Sequence, residues 1–121
     1  MSQRVRDRLR HIRLAIAAIE DYVSGQDERS FAENQLLVDA VERNLERISE
    51  ASRHIPESLK ATHPAIPWRD IAGIGNVLRH DYPRVNPVEI WRTVVRDVGL
   101  LKDAIAAMLG DGESDTGAGA D

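Results

Sequence analysis

Asn76 and His80 are four residues apart, a spacing that stacks them on one face of a helix. Arg69 and Gly73 continue the same line backward, at steps of four, three and four. Ile71, Ile74 and Leu78 fall on the other side. A histidine can move a proton near neutral pH, an amide can orient it, and an arginine can grip a phosphate with two parallel hydrogen bonds. The stretch GIGNVLRHDYPR, Gly73 to Arg84, therefore holds the parts for acid–base chemistry at a phosphate. The same residues also read as a helix end, with Arg79 and His80 as cations in the last turn, where they suit the helix dipole. Periodicity leaves both readings open.

Other chemistries find less support. The four histidines, His11, His54, His63 and His80, include no pair at the i, i+4 spacing of a helical zinc site, so no metal is expected. Gly73-Ile74-Gly75 is too short for a phosphate loop. Ser24, Ser49 and Ser52 lack a matched base. There is no cysteine, which excludes thiolate chemistry and disulfides and fits a cytoplasmic protein. Glu46 and Glu50, one turn apart, either orient an arginine across the fold or sit solvated. Trp68 and Trp91 lie in helical apolar patterns and read as packing residues. The arginines at 4, 6, 8, 10 and 13 form a solvated face or extend a path for RNA.

The elements that must position these residues are helical. Val5, Leu9, Ile12, Ile16, Ile19 and Val23 mark one amphipathic helix over 3–24, ended by Gly25. Ser30-Phe31-Ala32-Glu33 has capping-box form and opens a second helix over 31–54, with Leu37, Val41, Leu45, Ile48 and Ser52 along its stripe. Pro56 starts a short helix through Leu59 and Lys60. Pro67 begins the helix bearing Asn76 and His80, and Pro83 stops it. Asn86-Pro87-Val88-Glu89 opens the last helix, whose stripe is Val88, Trp91, Val95, Val98, Leu101, Ile105 and Met108, with Gly110 at its end. No segment alternates with period two. The expectation is an all-α, up-and-down bundle of four main helices and one short one, with mostly antiparallel neighbours.

Composition agrees. The chain has 121 residues, enough for one domain, and 42% hydrophobic against 4% aromatic residues, which favours helices over a β-sandwich. No apolar run approaches the roughly 20 residues of a membrane span. The net charge of −4 lies wholly in the tail, at Asp111, Glu113, Asp115 and Asp121, leaving a body of 16 basic and 16 acidic residues. That body is neutral: no broad nucleic-acid footprint is present, but a local anion site is allowed. Residues 1–110 are assigned to the domain, and 111–121, small and acidic, to a disordered tail.

The runs RNLERISEA (Arg43 to Ala51) and HPAIPWRDIAGIGNVLRHDY (His63 to Tyr82) resemble the HepT-like ribonuclease toxins of the HEPN superfamily, over about residues 4–109. The resemblance implies a helical-bundle homodimer whose two motifs, each an arginine followed by histidine, any residue and tyrosine, face one cleft. It implies metal-independent cleavage of RNA such as tRNA, as the toxin of a type VII-like toxin–antitoxin pair, and neutralisation by a minimal nucleotidyltransferase that can transfer AMP to the motif tyrosine. By this resemblance His80 is the general acid/base, Asn76 orients it or the phosphate, and Tyr82 contacts substrate and is the antitoxin's target. The motif arginine is absent: its place, five before the histidine, is Gly75. Side chains on a helix lean toward its N-terminus, so Arg79 can lie over the surface that Gly75 leaves bare and stabilise phosphoryl charge in its stead. The other readings are that Arg79 caps the helix or pairs with an acid on another subunit, and that the chain is an inactive HEPN binding module or scaffold for a nucleotidyltransferase.

Overall fold

A computed structural model describes residues 1–80 and 86–110, the side chains of Arg79 and His80 excepted. Tyr82, Pro83 and the tail 111–121 lie outside the described residues. All regular structure among those described is helical. In chain order the elements are α1 (Gln3–Val23), α2 (Glu28–Ala32), α3 (Gln35–Ser52), α4 (Glu57–Lys60), α5 (Trp68–His80), α6 (Pro87–Thr93), a π-helical turn (Val94–Val98) and α7 (Gly99–Leu109).

The helices α1, α3 and α6 start where a side chain can accept one of the first free N–H groups. The Ser2 hydroxyl accepts from Val5 N–H at 3.1 Å, Asn34 from Leu37 at 3.2 Å, and Asn86 from Val88 at 2.8 Å. Gly25, at φ 76, turns the chain out of α1, a left-handed conformation that favours glycine. Pro67 stands just before α5, its carbonyl accepting from Ile71 N–H at 3.0 Å.

The second helix departs from expectation. Ser30 does not cap a helix over 31–54. Asp27 comes first, and its carboxylate accepts from Ser30 N–H at 2.8 Å while the Ser30 hydroxyl accepts from Asp27 N–H at 2.9 Å. That reciprocal box opens the separate five-residue α2, and Asn34 restarts the chain as α3. Phe31, fully buried in α2, explains the detour: its ring meets Trp91 of α6 at 5.4 Å between centroids. Among the described residues the bundle therefore has two short helices, α2 and α4, beside α1, α3, α5 and the continuous run of α6, the π-helical turn and α7.

The last helix also differs. Its π-helical turn inserts an extra residue, so the buried stripe runs through Ile90, Val94, Val98, Leu101, Ile105 and Met108. Val95, expected inside, is 66% exposed. Asp97 is drawn in and held by Arg96 through two 3.0 Å bonds, which raise the arginine's pKa above its ordinary value.

One core joins the helices. Leu9, Ile12, Ile16 and Ile19 of α1 meet Val41, Leu45 and Ile48 of α3, with Ile71 of α5 and Ile105 of α7 in the same cluster. The helix α3 lies between α1 and α5, and α1 also packs on α7. Arg6 reaches the Leu109 carbonyl at 3.4 Å, and Lys102 meets Glu20 at 3.1 Å, so α1 and α7 run antiparallel. Trp68 packs as expected: its indole N–H lies 3.1 Å from both the Lys60 and His63 carbonyls, tying α5 to the α4 turn. No helix among the described residues is long and apolar enough to cross a membrane.

Candidate functional site

The helix α5 divides as its sequence predicts. Ile71 is buried and Leu78 half-buried, while Arg69 and Asn76 are exposed and Gly73 lies half-buried between them. His80 is the last residue of α5, one helical turn beyond Asn76. The stripe from Arg69 to Asn76 thus faces solvent on the leading side of the helix.

Gly75 is not the open surface that the sequence suggested. It shares the line of Ile71 and Leu78, at steps of four and three, and is buried. Its N–H donates to the Ser49 hydroxyl of α3 at 3.0 Å. That hydroxyl donates in turn to the Ala72 carbonyl at 2.7 Å, and the same carbonyl accepts from Arg53 Nε at 3.2 Å and Nη2 at 2.9 Å. Ser49 is 1% exposed, and neither of its contacts lies within its own helix. Four hydrogen bonds from one turn of α3 therefore clamp one turn of α5, and the position equivalent to the motif arginine lies within that clamp. Where Arg79 follows, one turn on, only its backbone is described.

Ser49 and Arg53 are the residues that sequence reading missed. Their signal was the i, i+4 spacing on α3. Ser49 has no matched base as a nucleophile, whereas its contacts make it a bridge between helices.

Beside the exposed stripe, α5 and α6 diverge around a groove of about 400 Å³. Arg69 and Gly73 belong to both the stripe and the groove. A Cβ built on Gly73 meets nothing within 4 Å, so the groove is open there. A second groove, of about 630 Å³, lies between α1 and α3 and includes Arg8, His11, Arg43 and Arg47. Glu46 and Glu50 line it but pair along their own helix, Glu46 with Arg43 at 3.4 Å and Glu50 with His54 at 3.1 Å. The His54 hydrogen bond holds the Glu50 carboxyl below its ordinary pKa, with the nearby positive charge of Arg8 on α1 acting in the same direction. Among the described residues no group of three His, Asp or Glu side chains is placed to hold a metal ion.

Comparison with known proteins gives the family. The family model described as Ribonuclease HepT-like matches residues 12–108, a span that contains most of the core, the clamp and the exposed stripe. The chain is 37% identical over 102 residues to the "Probable ribonuclease HepT" of Thermococcus cleftensis, covering 84% of this chain and 93% of that protein. It is 31% identical over 101 residues to a "Putative RNase" of Caldanaerobacter subterraneus subsp. tengcongensis, covering 84% and 90% of the two chains. A "Putative RNase" of Methanocaldococcus jannaschii is 32% identical over 85 residues, 70% of this chain and 78% of that one. No solved structure matches significantly. A family match over most of the chain, on an all-helical bundle that presents Asn76 on the open face of α5, shows that this chain belongs to the HepT-like ribonuclease family.

Proposed function

We propose that this protein is an endoribonuclease, the toxin half of a toxin–antitoxin pair, and that its chemistry is carried out on the exposed face of α5. The observation that carries the reading is the solvent exposure of Asn76 on the stripe that leads to His80, in a chain of this family. A polar face that no described element covers needs a second surface to become a closed site, and a second copy of the chain supplies it. In the homodimer His80 takes the proton of a ribose 2′-OH as that oxygen attacks the adjacent phosphorus. The bond from phosphorus to the 5′-oxygen breaks, leaving a cyclic phosphate, and the departing oxygen receives a proton. Asn76 orients His80 or the phosphate, and Arg79 stabilises the charge that grows on the phosphoryl oxygens. No metal takes part in these steps. tRNA is the proposed substrate, and a minimal nucleotidyltransferase is the proposed antitoxin, acting on Tyr82.

One observation favours a second reading, an inactive module that binds a nucleotidyltransferase. Gly75 replaces the motif arginine and is buried within the α3 clamp. A cleavage assay on a tRNA pool separates the two with wild type, Arg79→Ala and His80→Ala. The ribonuclease reading expects Arg79→Ala to lower the rate about 10²–10³-fold, as for loss of an oxyanion donor, and His80→Ala at least as much. Equal inertness of wild type and His80→Ala would refute it and leave the binding module.

A further inference from the structure

We propose that the groove between α5 and α6 is a nucleobase slot that selects guanine next to the cleaved phosphate; this rests on the ribonuclease reading above. The groove begins on the reacting face itself, since Gly73 lies on the same stripe as Asn76 and His80. Gly73 precedes His80 by seven residues, about 10 Å along the axis, and Val77, also in the groove, by about 4.5 Å. A phosphate held at His80 thus leaves the base of an adjoining nucleotide beside the slot. Ile74, Val77 and Leu78 offer flat aliphatic walls, and Val77 is 49% exposed, an apolar surface left uncovered by the described residues. The volume of about 400 Å³ is in the range of small-molecule sites.

The rim sets the choice of base. Asp70 and Glu89, two acidic residues, line the slot together with Thr93, which carries a hydroxyl. That hydroxyl donates to the Glu89 carbonyl at 3.0 Å, so its oxygen faces any ligand as an acceptor. Acceptors on a rim call for a base edge rich in N–H donors. Guanine presents N1–H and N2–H₂ side by side and fits a carboxylate bidentately, whereas uracil offers a single N–H. Repulsion of the RNA backbone is offset locally: Glu89 pairs with Arg92 at 3.5 Å, Arg96 lies in the field of both Asp70 and Glu89, and Arg69 stands on the same rim.

The glycine provides the test. A side chain at 73 grows into open space, so Gly73→Leu fills the slot while the helix gains a better helix former. Binding is measured by isothermal calorimetry with 2′-O-methyl trinucleotides, uridine-guanosine-uridine against the versions with adenosine, cytidine or uridine at the centre. These cannot be cleaved through the 2′-oxygen, so the result is independent of activity. Wild type and Gly73→Ala should bind the guanosine oligonucleotide about tenfold more tightly than the uridine one, the lower range for a bidentate base contact, and Gly73→Leu should lose that preference at a melting temperature no lower than that of wild type. Equal affinity for all four, absence of binding at millimolar concentration, or a guanosine preference that survives Gly73→Leu would each overturn the slot. Guanosine preference in a protein that cleaves no RNA would keep the slot and remove the ribonuclease reading.

Discussion

Ser49→Ala isolates the clamp on α5. The serine oxygen makes two contacts in a site 1% exposed, donating to Ala72 at 2.7 Å and accepting from Gly75 at 3.0 Å. Each is worth about 1–1.5 kcal/mol net. The Ala72 carbonyl is not stranded, because Arg53 still reaches it at 2.9 and 3.2 Å. The expected cost is thus about 2–3 kcal/mol, which for a chain of this size lowers the melting temperature by about 8–12 °C. Arg53→Ala alone should cost less, about 1 kcal/mol, since the arginine is largely exposed. The two residues share one acceptor, so the double variant should lose about 1 kcal/mol beyond the sum, the carbonyl then having neither partner from α3. Denaturant melts of the four proteins close the cycle. A loss under about 0.5 kcal/mol for Ser49→Ala, or simple additivity in the double variant, would refute the clamp as a unit.

Trp68→Phe keeps the ring under the Lys60 ammonium, 5.9 Å from its centre, but removes the N–H shared by the Lys60 and His63 carbonyls, and should cost about 1–2 kcal/mol by urea midpoint. Glu50 has a folded pKa below its ordinary value, so its pairing stabilises above about pH 4.5 and is lost as pH falls through the lowered value. Glu50→Gln should therefore melt slightly below wild type at pH 6, and the gap should narrow as the pH is taken below 4.5; a gap that stays constant with falling pH would assign the effect to something other than this titration. A chain ending at Gly110 should melt within about 2 °C of the full chain, because the removed segment has no apolar residue larger than alanine.

Apolar periodicity was enough for α1, α3 and α5, because each keeps one 3.6-residue period from end to end. It failed where two local solutions competed. Asp27 and Ser30 are both good caps, and the burial of Phe31 decided between them. In the last helix Val94 and Val95 are chemically alike, so composition could not show which of them a π-turn would bury. The site follows the same pattern. The solvent side of α5 was legible as a polar stripe, whereas the burial of Gly75 depends on a serine 26 positions away that carries no motif of its own.

The meeting of Arg6 with the Leu109 carbonyl has a consequence for how the bundle comes apart. The first and last helices close on each other along their lengths, from that contact to the one between Glu20 and Lys102, so the described chain forms a ring whose two ends are neighbours. Fraying of either end strips the same shared seam, including Leu9 and Ile16 on one side and Ile105 on the other. The first and last described helices are thereby coupled into one cooperative unit, and amide hydrogens of α1 and α7 should exchange together through a single opening event.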